Sequence, residues 1–272
     1  MEKSFKKVAI LGTGNIGSAI AEGIVGSKLY KAENIFITRR NPELLKSFAQ
    51  KGFKVGTNNL NAVKDSDVII IAVTPQQLDG LLDEIQEVLD VKKHVLISVV
   101  SGATIKEIKE RIGKDIPVVR VMPNTAIAIK ESMTCIASDS GDGVLEIARN
   151  IFDSVGLTLV IDESLIGPAT ALCACGIAFF LRAIRAASQG GIEIGFHSED
   201  ALLMAAQTAK GAASLLTSGL SHPEKEIDKV TTPMGITISG LNQMEHNGFS
   251  SAMIKGIVTS AEKAAKIYSS KK

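Results

Sequence analysis

Tryptophan is absent from this chain, and aromatic residues of all kinds make up only 4% of it. Surfaces that hold single-stranded nucleic acid depend on aromatic platforms for stacking, so that class of function is disfavoured. Charge of one sign is also lacking. The 30 Lys and Arg residues nearly balance 29 Asp and Glu, with no long basic run. Neither a polyanion nor an anionic lipid surface is strongly attracted to such a chain. Cysteine is scarce: Cys135, Cys173 and Cys175. An odd number, two of them in one apolar run, is no disulfide framework. They read as buried small residues in a reducing compartment, the cytoplasm, with no base nearby in sequence to activate them. His94, His197, His222 and His246 share no ligand spacing with the cysteines, so no metal site is expected.

Long apolar runs are few. The N-terminal run is broken by Gly12, Gly14, Asn15, Gly17 and Glu22, which argues against a targeting segment. LIGPATALCACGIAFFL, 165–181, carries no charge but contains Pro168 and is short for a membrane span. It reads as a helix buried on all sides, in a subunit interface. No membrane partner and no nucleic-acid partner are therefore expected.

What the chain does have is a 45% hydrophobic share over 272 residues, enough for one large core or two moderate ones. Apolar, β-branched runs alternate with amphipathic helical patterns. The strands are expected at 7–11, 35–38, 54–56, 67–73, 94–100, 117–123, 133–138 and 157–162. DVIIIAV is a continuous apolar run, which suits a strand buried on both faces. After Asp162 the strand signal stops. Helices are expected over 164–189, 198–218, 223–230, 236–246 and 250–270, with Gly190, Gly191 and Gly195 punctuating the first two. The fold class is α/β: an N-terminal Rossmann domain with a doubly wound, mainly parallel sheet (1–162), then an all-helical dimerisation domain (163–272). The second long helix, ALLMAAQTAKGAASLLTSGL, is apolar on more than one face, which calls for a homo-oligomer, a dimer at least.

GTGNIG, 12–17, fits G-x-G-x-x-G between a strand and a helix, the context that gives the motif its meaning. Gly12 permits the tight turn, Gly14 lets a pyrophosphate approach the backbone, and Gly17 allows helix and strand to pack. Asn15 and Ile16 complete the loop, whose helix start offers free N–H groups to phosphate. The second strand ends ITRRN, without the acidic residue that a ribose hydroxyl would select. Arg39 and Arg40 can fork onto a 2′-phosphate, with Thr38 and Asn41 as added hydrogen-bonding groups. NADP, as NADPH, is the expected cofactor, with NAD the alternative. Two further strand ends fall on the binding edge of an open sheet: Ala72, Val73, Thr74 and Pro75, and Met122, Pro123 and Asn124.

The remaining pattern is carried by DVIIIAVTPQQ, VVRVMPNTA, TALCACGIAFF, QGGIEIG, QTAKGAASLL and HPEKEIDKVTTPMGITISGLNQME. Together with ILGTGNIGSAIAEGI, these blocks resemble the pyrroline-5-carboxylate reductase family over nearly the whole chain. The last block is the most specific, with Pro233, Gly235, Thr237, Leu241 and Glu245 on the family's pattern. The resemblance implies NAD(P)H-dependent reduction of a cyclic imine carboxylate, 1-pyrroline-5-carboxylate, to L-proline, and a helical domain that interlocks with a second subunit. It implies that Thr237 is the catalytic hydroxyl nearest the imine nitrogen. Pro233, Met234, Gly235 and Ile236 then receive the substrate carboxylate, with Cys175 and Gly176 also substrate-binding. The chain departs from the family where CACGIAF stands for S-G-S-G-P-A-Y, TPMGIT for S-P-G-G-T-T, Thr74 for lysine and Ala126 for proline. Those changes keep two alternatives open: a reductase of a different cyclic imine, and a catalytically impaired NADP-binding member with a regulatory role. From the residues alone, Thr237 reads equally as a helix cap.

Overall fold

The computed structural model describes residues 6–219 and 221–269. Among them, eight strands form one sheet: β1 (Val8–Leu11), β2 (Ile35–Thr38), β3 (Lys54–Gly56), β4 (Val68–Ile71), β5 (Val95–Ser98), β6 (Val118–Met122), β7 (Ser132–Ser138) and β8 (Gly156–Val160). Their order is β3-β2-β1-β4-β5-β6-β7-β8. Pairing is parallel throughout except between β6 and β7. The sheet is therefore mainly parallel, with its last two strands reversed.

The described residues also form twelve helices, in chain order α1 (Asn15–Gly26), α2 (Lys46–Gln50), α3 (Asn59–Lys64), α4 (Pro75–Ile85), α5 (Ile105–Ile112), α6 (Asp142–Asp153), α7 (Ile166–Ala169), α8 (Gly176–Glu193), α9 (Ser198–Gly219), α10 (Pro223–Val230), α11 (Ile236–His246) and α12 (Phe249–Ser269). Residue 270, the end expected for the last helix, lies outside the described residues. Contacts divide the chain into two compact units, Met1–Ala174 with Ala261–Lys272, and Cys175–Ser260.

In the first unit the period-2 alternation of the central strands separates two cores. Val8, Ile10, Val68, Ile70, Val95 and Ile97 point to one face, where α1, α2 and α6 contribute Ile20, Ile24, Phe48, Ile151 and Phe152. Ala9, Leu11, Ile69, Ile71 and Leu96 point to the other, against Val63 of α3, Leu78, Leu82 and Ile85 of α4, and Ile105, Ile108 and Ile112 of α5. Each Val, Leu, Ile or Phe among them, fully buried, contributes about 1.5–3 kcal/mol, so the two-sided burial is the main stabilising term. α5 is well bounded: Thr104 and Glu107 form a reciprocal capping box, and Gly113 closes the helix in the left-handed region.

A smaller cluster lies beyond β6. Met122, Cys135, Ala137 and Ile166 are buried there, with Met133, Ile161, Ala169 and Cys173 packed on them. Beside it, buried Arg120 donates to Glu163 at 3.0 Å, and the same carboxylate oxygen accepts from the Ile105 backbone at 2.7 Å. The pair fastens the start of the helical stretch to the sheet. A partner removed here would leave a charge poorly solvated.

Three sequence expectations change. The short helix α3 was not foreseen; Asn58 caps it by accepting from the Asn61 backbone at 3.0 Å. The helix expected over 164–189 is α7, then a π-helical turn (Thr170–Cys175), then α8. Gly190 and Gly191 do not stop α8, which runs on to Glu193 before Gly195 turns the chain at φ +109°. A Cβ on Gly191 would lie 3.0 Å from the Ala201 Cβ of α9, so this glycine serves close helix packing.

Nor is the 165–181 segment buried on all sides within its own chain: Leu165, Leu172, Phe180 and Leu181 are exposed. By length and composition alone, the helical stretch Glu163–Glu193 is apolar enough to cross a membrane. In the second unit α8 packs on α9, yet Gly176, Ser188 and Ala201 are the only buried residues among those described in the two helices.

Gly23 shows how tightly the first unit is packed: a Cβ there would meet Val155 Cγ1 at 1.8 Å. Gly23→Ala is expected to lower stability by about 1–3 kcal/mol through overpacking. Adding Val155→Ala, which removes the clashing methyl, should recover part of that loss. Urea midpoints of the two single variants and the double variant check the coupling, and simple additivity would contradict it.

Candidate functional site

The carboxyl ends of β1, β2 and β4 converge on one cleft. Gly12 follows β1 with φ +98°, and its backbone N–H donates to the Thr38 carbonyl at 3.2 Å. A Cβ on Gly12 would come within 2.6 Å of the Ala72 oxygen, and one on Gly17 within 2.2 Å of the Gly12 oxygen. These two glycines are fixed by backbone crowding. Gly14 differs: nothing lies within 4 Å of its would-be Cβ. It is the extended N-cap of α1 and makes no side-chain cap, so the first N–H groups of α1 lack intrahelical partners. A turn closed on two sides and open at its middle glycine fits a pyrophosphate.

Side chains hold this loop to β2. Buried Thr13 donates its hydroxyl to the Thr38 carbonyl at 2.8 Å, and Arg39 Nη1 donates to the Thr13 carbonyl at 2.6 Å. Arg40 is exposed and makes no ion pair or hydrogen bond among the described residues. The two arginines therefore differ. Arg39 is partly engaged by the loop, whereas the guanidinium of Arg40 is unengaged among the described residues.

A cavity of about 640 Å³ occupies the cleft. Gly12, Gly14, Thr38, Arg39, Arg40, Ala72, Val73 and Thr74 line it, as does Asn41. Asn15, Ile16 and Gly17 begin α1, and Pro75 begins α4 behind Thr74; none of these is in the lining. Met122, Pro123 and Asn124 are buried outside this cavity. The Asn124 amide is already engaged: its oxygen accepts from the Ala126 backbone at 3.0 Å and its nitrogen donates to the Cys173 carbonyl at 3.3 Å.

Thr38 also carries less than the sequence suggested. Its hydroxyl donates to Asn59 Oδ1 at 2.6 Å, so that proton is not free for a phosphate. Asn59 in turn donates to Glu84 at 2.9 Å. Gln76 and Gln77, which end the AVTPQQ stretch expected at the binding edge, line the cavity; Asn59 and Glu84 line it too and were missed. The paired asparagines of TNNLNA were the available signal, since Asn58 starts a helix that carries Asn59 to the cleft.

The second unit holds the loop before α11. Gly235 N–H donates to the Thr232 carbonyl at 2.9 Å, closing a four-residue turn with Pro233 second and Met234 third. Met234 has φ +60°. Proline cannot take a positive φ, so this is a type II turn, whose third position glycine ordinarily fills. The Met234 side chain is fully exposed and that of Ile236 nearly so. Gly235 is the N-cap of α11. Thr237 is thus the second helical residue and not the cap, which removes the capping explanation. Its side chain is half-buried, and its hydroxyl makes no hydrogen bond among the described residues. The N–H groups of Ile236, Thr237 and Ile238 lie in the first turn, where helices lack internal acceptors. Cys175 and Gly176 stand where the π-helical turn gives way to α8, with Cys175 half-buried and Gly176 buried.

A glycine loop on a Rossmann sheet, two arginines after β2 and a separate helical unit define a dinucleotide-binding protein of the two-part oxidoreductase class. Residues 7–102 match the family model "NADP oxidoreductase coenzyme F420-dependent", and 163–267 match "Pyrroline-5-carboxylate reductase dimerisation". The chain is 49% identical to pyrroline-5-carboxylate reductase 2 of Dictyostelium discoideum, over 97% of itself and 94% of that protein. It is 55% identical to pyrroline-5-carboxylate reductase 1 of the same organism, again over 97% of itself but spanning only 50% of that relative's length. Among solved structures, pyrroline-5-carboxylate reductase from Coxiella burnetii superposes with TM-score 0.92 at 25% identity, covering 97% and 99% of the two chains. The Plasmodium falciparum pyrroline carboxylate reductase with NADP bound superposes with TM-score 0.85 at 26% identity, covering 97% and 98%. The chain belongs to the pyrroline-5-carboxylate reductase family.

A non-glycine residue held near φ +60° costs on the order of 1 kcal/mol. Met234→Gly is therefore expected to stabilise the folded protein by about 0.5–1 kcal/mol, the relief being partly offset by greater freedom of the unfolded chain. Chemical denaturation of the two proteins at equal concentration measures the difference.

Proposed function

We propose that this protein reduces 1-pyrroline-5-carboxylate to L-proline with NADPH. The observation that carries the reading is kinship along nearly the full length of a reductase, 49% identical, of which the chain covers 94%. The fit of the cleft to the cofactor supports it: an uncrowded Gly14, free N–H groups at the start of α1, and an unpaired Arg40. NADP is bound in the related Plasmodium falciparum structure.

NADPH, when bound, supplies the hydride, which passes from nicotinamide C4 to the carbon of the substrate C=N bond. The substrate nitrogen can arrive protonated, so the chain needs no covalent nucleophile; it needs to position two rings and exclude water. Thr237 is assigned to that nitrogen because its hydroxyl is unengaged, and it can hold or relay a proton there. Pro233, Met234, Gly235 and Ile236 present the N–H groups of the α11 start to the substrate carboxylate. Cys175 and Gly176 are assigned to the same substrate. Gly12, Gly14, Asn15, Ile16 and Gly17 serve the pyrophosphate, and Arg40 the 2′-phosphate. Arg39 acts on that phosphate and on the loop together. Ala72, Val73, Thr74 and Pro75 line the nucleotide's path, with Met122, Pro123 and Asn124 behind it.

Residues 1–162 would then hold the cofactor and 163–272 the dimer contact and the substrate. Exposed Phe180, Leu181, Leu203 and Leu215 favour burial against a second copy. We place the enzyme in the cytoplasm, with no nucleic-acid or membrane partner. One feature favours a second reading: Met234 and Ile236 are bulky and exposed at the loop assigned to the substrate carboxylate, which suits a different cyclic imine. A panel of ring sizes separates the two. Tight NADPH binding with no turnover on any ring would instead favour an impaired, regulatory member.

Arg40→Ala is expected to raise KM for NADPH at least tenfold while leaving KM for NADH nearly unchanged, since about 1.4 kcal/mol lost at one phosphate is a factor of ten. Arg39→Ala, which also frees the Thr13 carbonyl, should weaken both cofactors. Thr237→Val should lower kcat on the order of a hundredfold with NADPH affinity intact. Steady-state kinetics with both cofactors, and fluorescence titration of NADPH, test all three. An unaltered NADPH/NADH ratio in Arg40→Ala would refute the phosphate assignment.

A further inference from the structure

An acidic side chain is out of place in a cleft assigned to a phosphate-bearing cofactor, yet Glu84 lines it together with Arg39 and Arg40. Among the described residues it forms no ion pair with either arginine. Its carboxylate instead accepts from Asn59 Nδ2 at 2.9 Å. Glu84 is exposed on the last turn of α4, and Asn59 is half-buried at the first position of α3. Asn59 Oδ1 in turn accepts from the Thr38 hydroxyl at 2.6 Å, at the end of the strand that leads into Arg39 and Arg40. One amide thus ties β2, α3 and α4 together.

The two ends of this chain differ chemically. A hydroxyl can donate or accept, so Thr38 could hold the Asn59 amide in either sense. A carboxylate only accepts, so Glu84 requires the amide nitrogen on its side and sends the amide oxygen to Thr38. The nitrogen carries a second N–H. It has no partner among the described residues, and it belongs to a residue that lines the cavity. With the amide reversed, a carbonyl oxygen would take the nitrogen's place, and an anion would be repelled. We propose that Glu84 is a positioning residue for cofactor choice: by fixing the sense of the Asn59 amide, it makes the wall beside Arg39 and Arg40 a hydrogen-bond donor toward the 2′-phosphate of NADPH. Glu84 has this role only if NADPH is the cofactor, as proposed above. A direct charge effect has the opposite sign. A carboxylate near a phosphate repels it, so charge alone makes the loss of Glu84 favour NADPH over NADH. Positioning makes the same loss disfavour NADPH.

The test is fluorescence titration of NADPH and of NADH, without imine, on the full-length protein, Glu84→Ala, Asn59→Ala and the double variant. The quantity read is the ratio of Kd for NADH to Kd for NADPH. Glu84→Ala is expected to lower this ratio roughly fivefold, the worth of one hydrogen bond. Asn59→Ala should lower it at least as far. In the Asn59→Ala background, adding Glu84→Ala should lower it no further, since no amide is left to orient. Glu84→Gln, which keeps the size of the side chain but can donate as well as accept, should also lower the ratio. It serves as the second variant should the alanine change disturb α4. A ratio that rises without Glu84 marks a charge effect. An unchanged ratio marks a merely structural role, and equal falls in both backgrounds mark independent action. Each of these outcomes overturns the proposal. Binding is read without turnover, so failure of the imine reaction leaves the result standing. An unaltered protein that binds NADPH no more tightly than NADH overturns the phosphate assignment and the role of Glu84 together.

Discussion

Contact between main chains at the end of β1 is the constraint on which the first unit depends. Gly12 lies against the Ala72 carbonyl that follows β4, and Gly17 lies against the Gly12 carbonyl. No side chain fits at either place. Because these three segments touch, α1 starts directly over the carboxyl edge of the sheet, and its unpartnered N–H groups face the cleft. The buried strands on either side make the contact rigid. Shifting β1 or β4 by one residue would exchange the two cores, moving Ile10 and Ile70 to the face now held by Leu11 and Ile71. A pyrophosphate site of this kind is thus a by-product of close packing, with glycine as the residue that permits it.

The two arginines after β2 show how such a framework divides work between neighbours. Arg39 reaches back to the Thr13 carbonyl, while Thr13 reaches across to the Thr38 carbonyl. The loop and the strand end therefore move as one piece. Arg40, which lines the cleft with no such tie among the described residues, can be lost at little cost to the fold. Thr38, Asn59 and Glu84 form a second polar chain along the cleft wall. In that chain Thr38 uses its donor to place Asn59.

Features that depend on nearest neighbours and periodicity were legible in the sequence. All eight strands could be found there because continuous apolar runs such as VIII and VLIS have no other use in an α/β chain. The glycine loop was legible because its spacing follows from main-chain contact. Asn59 was not, because its place depends on a six-residue helix too short to show a period. Gly191 resembles a stop because the sequence does not show that Ala201 lies opposite. The role of Thr38 was overstated for the same reason: its acceptor comes from another segment. From the residues alone Thr237 read equally as a cap, and the fold gives that position to Gly235.

The two units reach stability by different routes. The first closes two cores of its own, and its buried side chains come from nearly every strand. The second buries little within the chain: among the described residues of α8 and α9 only Gly176, Ser188 and Ala201 are buried, while Phe180, Leu181, Leu203 and Leu215 stay exposed. Helices as long as these gain most of their stability from packing an apolar face and only a little from intrinsic propensity. An apolar surface of that extent is suited to burial outside the single chain, and the match of 163–267 to the dimerisation model supports a homo-oligomer. A helical unit that buries its apolar face only on association gains stability that rises with protein concentration. The turn before α11 belongs to this unit. The strain at Met234 is thus carried in the unit that buries least within the chain.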